Sequence, residues 1–169
     1  MIANGGLEMK NTQEALEQLL DAWWTNNRIN LFLIDKISAP GMKCTLSKRG
    51  GRNVCRQFAH MHNNRVWQLE KRARDLSKGL TIFATEDEPI KTALKKAMNA
   101  SAEKFVTFFE RCVTGEGKAR CFKKGVISNL GYLIAHESHH RGSILLTLKE
   151  RGHKLDKDIS YAIWDWEKM

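Results

Sequence analysis

The sequence has few of the residues that interrupt helices. Only two prolines occur, Pro40 and Pro89, and the period-two alternation typical of half-buried strands is hard to find. No apolar run approaches the ~20 residues that a membrane-spanning helix needs. Residues 1–6 lack a basic stretch followed by an apolar one, so no secretory signal is visible. These absences predict a helical, cytoplasmic protein with no membrane association.

Cysteine is also scarce. The four cysteines, Cys44, Cys55, Cys112 and Cys121, are widely spaced, and none belongs to a C-x-x-C pair. A chain of 169 residues is long enough to bury its own core and does not need disulfides to fold. We therefore expect all four thiols to be reduced, with Cys55 and Cys112 packed as small apolar residues.

The length and the 42% content of hydrophobic residues are those of a single globular domain, residues 1–169. Apolar residues recur with the period of a helix along four segments. These predicted helices cover residues 12–37, 53–76, 85–113 and 126–151. The glycine-containing segment 38–52 is predicted to be a loop, and the apolar segment 159–166 is expected to pack as a short C-terminal cap. Four amphipathic helices favour an all-α four-helix bundle.

Short-range signals mark the starts of two of these helices. Asn11 with Glu14, and Thr85 with Glu88, have the spacing of capping boxes before the first and third helices. Pro89 suits the first turn of the third helix, where its missing N–H costs nothing.

Two histidines on the fourth predicted helix indicate a metal site. His136 and His140 are four residues apart, so they lie on one face of the helix, one turn apart. They lie at the edge of an apolar ridge, next to Asn129, Ser143 and Thr147, which favours a polar cavity inside the bundle. Imidazole suits zinc, nickel, copper and iron, and inward-facing side chains on bundle helices build such sites.

The same segment contains the H-E-x-x-H string of zinc peptidases, with Glu137 in the place of the general base. Ser143 stands where a metzincin continuation needs glycine, and no sheet is predicted, so a zinc peptidase is not the favoured interpretation. Glu137 is a weak catalytic candidate. A salt bridge inside the bundle, with Arg65 or Arg28, is the preferred role for this carboxylate.

The segment from His136 to His140, followed by Arg141 and Gly142, resembles the H-x-x-x-H-R-G motif of the DinB/YfiT-like family of metal-binding four-helix bundles. The resemblance extends in helix order over nearly the whole chain and implies up-down-down-up connections. In that family the motif supplies two ligands and the second helix supplies the third. Aligned without gaps, segment 53–63 places the third ligand at His60.

Helical periodicity favours a different third ligand. An apolar stripe on the second helix centres on His62; its other members are Cys55, Phe58, Ala59, Val66, Leu69 and Ala73. The face of His60 is more polar and carries Gln57, Asn64 and Trp67. Ligand-bearing faces break the apolar pattern at functional sites. We therefore expect His60, His136 and His140 to bind the metal, with His62 as the alternative to His60.

The resemblance also implies a function. The family includes thiol-dependent transferases, in which the metal activates the thiol of a low-molecular-weight cofactor, and proteins described as metal-dependent hydrolases. An open position on a three-histidine metal, for which zinc or nickel is preferred, lowers the pKa of water or a thiol. We therefore expect a thiol S-transferase or hydrolase that acts on a small molecule. A metal-binding bundle without catalysis is the alternative.

The net charge of +9 attracts anions, including nucleic acid. The basic clusters in segments 43–56, 71–78 and 118–124 lack a recognition motif and interleaved aromatic residues, so a nucleic-acid-binding module is the least favoured function. We expect these clusters to be solvated. Trp23 and Trp24 are adjacent and point about 100° apart on a helix, so one of them is expected to face a partner subunit. The family resemblance also implies a homodimer.

Overall fold

The computed structural model describes residues 3–47, 49 and 51–169, with side chains from Lys10 onward in those ranges. Residues 1, 2, 48 and 50 lie outside these ranges; the first two belong to segment 1–6 and the other two to the predicted loop 38–52. Seven helices and no strand occur in the described ranges, so the predicted all-α fold class is confirmed. The helices are α1 (Ala3–Lys36), α2 (Ala39–Met42), α3 (Val54–Arg72), α4 (Arg74–Ser77), α5 (Lys91–Thr114), α6 (Val126–Glu150) and α7 (Lys157–Ala162). None of them is long and apolar enough to cross a lipid bilayer.

The predicted start of the first helix is wrong. α1 begins at Ala3 and runs through Asn11 and Glu14, so the capping box expected there does not form. Residues 7–10 are leucine, glutamate, methionine and lysine, which all have high helix propensity, and they extend the helix beyond the cap signal.

The predicted start of the third helix is also wrong. α5 begins at Lys91, and Glu88 does not cap it. The carboxylate of Glu88 instead accepts a hydrogen bond from Asn53 Nδ2 at 2.6 Å and lies 3.7 Å from Arg56 Nε. Asn53 is the N-cap of α3, and its side chain accepts a hydrogen bond from the Arg56 amide. Glu88 therefore ties the segment before α5 to the start of α3.

The second predicted helix is divided at Ala73. The backbone of this residue has φ −154° and ψ 69°, far from helical values. α3 ends before it and α4 begins after it. The predicted loop 38–52 likewise contains the short helix α2, where the Ser38 side chain accepts a hydrogen bond from the Gly41 amide.

Four long helices, α1, α3, α5 and α6, bury the core between them. α1 and α3 each contact both α5 and α6. One core cluster is aromatic and contains Trp23, Phe105, Phe108 and Phe109. The Trp23 indole is fully buried and donates a hydrogen bond to the Ala102 carbonyl at 3.1 Å. A second, mainly aliphatic cluster includes Leu33, Met61 and Ile144. Burial of each large apolar side chain contributes about 1.5–3 kcal/mol, and this packing fixes how α3 lies against α6.

The C-terminal segment packs less completely than the sequence predicts. Ile163 is buried and joins the aliphatic cluster. Tyr161 and Trp164, in contrast, are 71% and 76% exposed. α7 itself has no buried residue, so within segment 159–166 the expected cap is limited to Ile163, directly after the helix.

Two of the cysteines differ from expectation. Cys112, in the last turn of α5, forms a disulfide with Cys121, and the two Cα atoms are 6.2 Å apart. Gly115, with φ +75°, ends α5 in the left-handed conformation that glycine favours and turns the chain so that Cys121 returns to the helix. The expectation that all four thiols are reduced is therefore wrong for this pair. Cys55 is buried as expected, and burial raises the pKa of its thiol to about 11.

Candidate metal centre

Three histidines from two helices come together beside the core. His136 and His140 lie one turn apart on α6, and α3 brings His60 next to them. The candidate ligand nitrogens of the three rings all lie within 4.8 Å of one another. The ring centroids of His136 and His140 are 4.7 Å apart, and that of His60 lies 5.4 and 4.9 Å from them. This cluster could hold a metal ion.

Neighbouring side chains hold the imidazole rings. Tyr132 stacks on His136, with an angle of 22° between the ring planes. Asn64 Nδ2 lies 3.3 Å from His136 Nδ1, within reach of donating a hydrogen bond to that ring nitrogen, and so helps to position the ring. Trp67 meets His60 edge to face, and His139 meets His140 in the same way. These contacts limit rotation of the rings and so favour a preorganised cluster.

The environment keeps these imidazoles neutral. Burial lowers the pKa of His60 to about 4, and the charges of Arg52 and His136 act in the same direction. Burial also lowers the pKa of His140 to about 4, together with the neighbouring histidines. The pKa of His136 is lowered, chiefly by burial. Neutral imidazole is the form that binds a metal, so near neutral pH the cluster is in the right protonation state.

His62, the alternative third ligand, lies elsewhere. Its ring is fully buried, with Nε2 2.7 Å from the Thr81 carbonyl oxygen and Nδ1 3.1 Å from Ser101 Oγ. Both ring nitrogens are therefore engaged inside the core. The apolar stripe of α3 marks His62 correctly as a buried residue, but the structure groups His60 with His136 and His140.

Glu137 lies in a buried polar network. Its carboxylate accepts hydrogen bonds from Arg65 Nε at 2.6 Å, from Arg65 Nη2 at 2.9 Å, and from Asn26 and Asn30 at 2.6 Å each. Burial raises the pKa of this carboxylate, but the adjacent guanidinium of Arg65 outweighs that effect and the net pKa is lowered. The salt bridge with Arg65 is as predicted. Arg28 instead contacts Asp21 and Thr25 on its own helix.

Two cavities open beside the histidines. One, of about 280 Å³, is lined by His60 and Trp67 among others. The other, of about 290 Å³, is lined by His140, Ser143 and others. Both volumes are close to the lower end of the range for small-molecule sites. Arg52 lines both cavities, so its positive charge is accessible from each of them.

Sequence reasoning places Arg52 among the solvated basic residues. Its position directly before Asn53, the N-cap of the helix that carries His60, is the signal that marks it. The sequence also predicts that Asn129 lines the cavity, and this is wrong. Asn129 is fully buried, and its Oδ1 accepts a hydrogen bond from the Phe122 amide at 2.7 Å, so it holds the loop before α6.

Comparison with known protein families, curated proteins and solved structures finds no match to this chain.

Proposed function

We propose that this chain is a metal-dependent enzyme of the DinB/YfiT-like type, built as a four-helix bundle with up-down-down-up connections. It would act on a small molecule by thiol transfer or by hydrolysis. One observation carries the proposal: three neutral imidazoles, from His60, His136 and His140, converge at the edge of two small cavities.

The donor set suits a divalent transition metal. Imidazole nitrogens bind zinc at about 2.0–2.1 Å, and catalytic zinc sites use three protein ligands with a fourth position open. The three rings are within reach of one ion after small side-chain rotations, because their candidate ligand atoms already lie within 4.8 Å of one another. No carboxylate belongs to the cluster among the described residues, which favours zinc or nickel over magnesium or calcium.

The residues around the cluster define what it would bind. A zinc or nickel ion with an open position lowers the pKa of a thiol or water that occupies it and supplies a nucleophile at neutral pH. Asn64 orients His136, and Trp67 provides an aromatic wall. Arg52 would hold an anionic group of the thiol or substrate from either cavity.

Elemental analysis tests the metal site. The chain purified without chelator and offered zinc or nickel should bind close to one ion. His60→Ala, His136→Ala and His140→Ala should each lose it. His62→Ala and His139→Ala are the matched controls and should keep it. His62 is engaged in the core, and His139 contacts the His140 ring but contributes no candidate ligand atom to the cluster. A wild-type chain that binds no ion contradicts the proposal.

Cobalt substitution separates an enzyme from a bundle that only binds metal. Low-molecular-weight thiols should change the visible spectrum of the cobalt protein, and Arg52→Gln should weaken this response to anionic thiols. Removal of the metal should abolish thiol transfer to model electrophiles. A spectrum indifferent to thiols, esters and amides would favour the non-catalytic alternative.

A zinc peptidase is less well supported. The general base of that mechanism must reach the water at the metal, whereas both carboxylate oxygens of Glu137 accept hydrogen bonds from buried partners.

A further inference from the structure

A wide cavity lies away from the histidines, at the break between α3 and α4. Its volume is about 730 Å³, within the range of small-molecule sites. Six cationic side chains line it: Lys71, Arg72, Arg74, Arg111, Lys118 and Arg120. Only two acidic residues, Glu70 and Asp75, line it with them. We call it the basic cavity.

Two stretches of sequence build the basic cavity. The Arg120 amide donates a hydrogen bond to the Arg72 carbonyl at 2.9 Å, and Arg72 Nη1 donates one to the Arg120 carbonyl at 3.2 Å. These reciprocal bonds join the end of α3 to the loop after α5. Basic residues almost fifty positions apart therefore line one concave surface. The sequence predicts two separately solvated clusters instead.

The loop that carries Lys118 and Arg120 is held in place. The disulfide between Cys112 and Cys121 closes it at its base. Gly117, with φ +71°, packs against Arg111 so closely that a Cβ there would lie 3.2 Å from the Arg111 side chain. The cationic side chains therefore project from an anchored wall of the cavity.

The positive charge of the basic cavity is only partly neutralised. Asp75 pairs with Arg111 at 2.7 Å, which uses one carboxylate and one cation. The Arg72 guanidinium lies 4.0 Å from the centroid of the Phe122 ring and receives no carboxylate partner from that contact. Arg72 Nε donates a hydrogen bond to Gln68 Oε1 and Nη1 donates one to the Arg120 carbonyl, so these partners are neutral and leave its charge in place.

We propose that the basic cavity binds a small ligand that carries a chain of phosphate groups. Arg and Lys are the side chains that recognise phosphate oxygens, Arg through paired N–H donors and Lys as a point charge. Several cations facing one concavity suit several linked phosphates. No aromatic side chain lines the basic cavity, so the phosphate chain and not a stacked base is the recognised part. Inorganic triphosphate and the triphosphate of a nucleotide share this chemistry.

Calorimetric titration of the full chain tests the proposal. Inorganic triphosphate should bind at least about tenfold more tightly than orthophosphate, because more charges are engaged. The double variant Lys71→Gln, Lys118→Gln should weaken triphosphate binding by about tenfold or more. Lys123→Gln with Lys124→Gln removes the same charge from two residues that do not line the basic cavity, and should change binding by less than about twofold.

The arms of the experiment identify the ligand. Equal binding of inorganic triphosphate and ATP assigns recognition to the phosphate chain, and tighter binding of ATP assigns a nucleotide. The double variant His136→Ala, His140→Ala should bind triphosphate as the wild type does, so this result is independent of the metal proposal. Two outcomes overturn the inference: equal losses in both lysine pairs, or binding only to DNA with a steep salt dependence, which would indicate a nucleic-acid surface.

Discussion

The guanidinium of Arg65 and the carboxylate of Glu137 form a two-pronged ion pair, with N–O distances of 2.6 and 2.9 Å, and both side chains are fully buried. Arg65 lies on α3, the helix of His60, and Glu137 directly follows His136 on α6. The ion pair therefore fixes the helix of His60 against the helix of His136 and His140. Arg141 extends the network by donating to Asn26 and Asn30, which in turn donate to Glu137.

Removal of one partner of this ion pair should destabilise the folded chain. Arg65→Met leaves a buried carboxylate without its cation, and we expect a loss of about 3–5 kcal/mol in the free energy of unfolding. Glu137→Leu should cost a similar amount, because Arg65 is then unpaired. The double variant should lose clearly less than the sum. Urea unfolding of the four proteins measures the coupling.

Glu137→Gln distinguishes a structural carboxylate from a catalytic one. It removes the charge but keeps a side chain of the same shape. We expect lower stability and an unchanged metal content at low temperature, where the variant is folded. A variant that is as stable as wild type but inactive in thiol transfer would instead identify Glu137 as a catalytic group.

The sequence predicts which histidines come together better than it predicts the packing around them. The spacing of His136 and His140 places them on one helical face whatever the rest of the chain does. Helical periodicity favours His62 as third ligand because a buried, hydrogen-bonded histidine occupies an apolar stripe as a hydrophobic residue does. Its partners, Thr81 and Ser101, are distant in sequence, so no local pattern reveals them.

The same limit applies to segment ends and loops. The cap signals at Asn11 and Glu88 are local patterns. High helix propensity upstream of Asn11 extends α1 past the first signal. A long-range hydrogen bond from Asn53 engages Glu88 and overrides the second. The Cys112–Cys121 disulfide depends on the path of the loop after Gly115, which spacing alone does not determine. Helix existence follows from periodicity, whereas helix ends depend on tertiary contacts.

Acid should destabilise the protein through His62. Burial lowers the pKa of this residue from 6.5 to about 4, so the unfolded chain binds the proton more readily than the folded one. The contribution to stability is complete above pH 6.5 and is lost as the pH falls towards about 4. Between pH 7 and pH 5 the wild type should lose about 2 kcal/mol more than His62→Gln. Thermal unfolding at several pH values measures this, and parallel pH profiles for the two proteins would contradict it.

The disulfide should stabilise the fold. Replacement of both Cys112 and Cys121 by serine should lower the free energy of unfolding by about 2–3 kcal/mol, because the unfolded chain regains the freedom of a short closed loop. Cys44→Ser is the control and should change little, since Cys44 is a free, half-buried thiol.

Thiol titration of the unfolded, unreduced chain should find two reactive cysteines. Four reactive thiols would contradict the pairing. Disulfides persist mainly in oxidising compartments, so the result also bears on the expected cytoplasmic location.

The expected homodimer can be tested at one tryptophan. Trp23 is fully buried within the protein, and Trp24 beside it is only partly buried. A partner subunit would therefore contact Trp24. Sedimentation velocity at micromolar concentration should show a dimer that Trp24→Ala shifts towards monomer. Trp164→Ala is the control, because it removes an exposed tryptophan that is distant from Trp24 in sequence. A wild-type monomer at every concentration would end this prediction.

The ligands of the candidate centre come from α3 and α6, which are separated along the chain by α4 and α5. An ion held by His60, His136 and His140 would cross-link the chain across that whole interval, as a covalent staple does. A cross-link that closes a loop of this length removes about 4–5 kcal/mol of conformational freedom from the unfolded chain. Loss of the metal would then lower the midpoint of unfolding and change its cooperativity, in addition to emptying the site. After chelation, the association of α3 with α6 would depend on side-chain contacts alone.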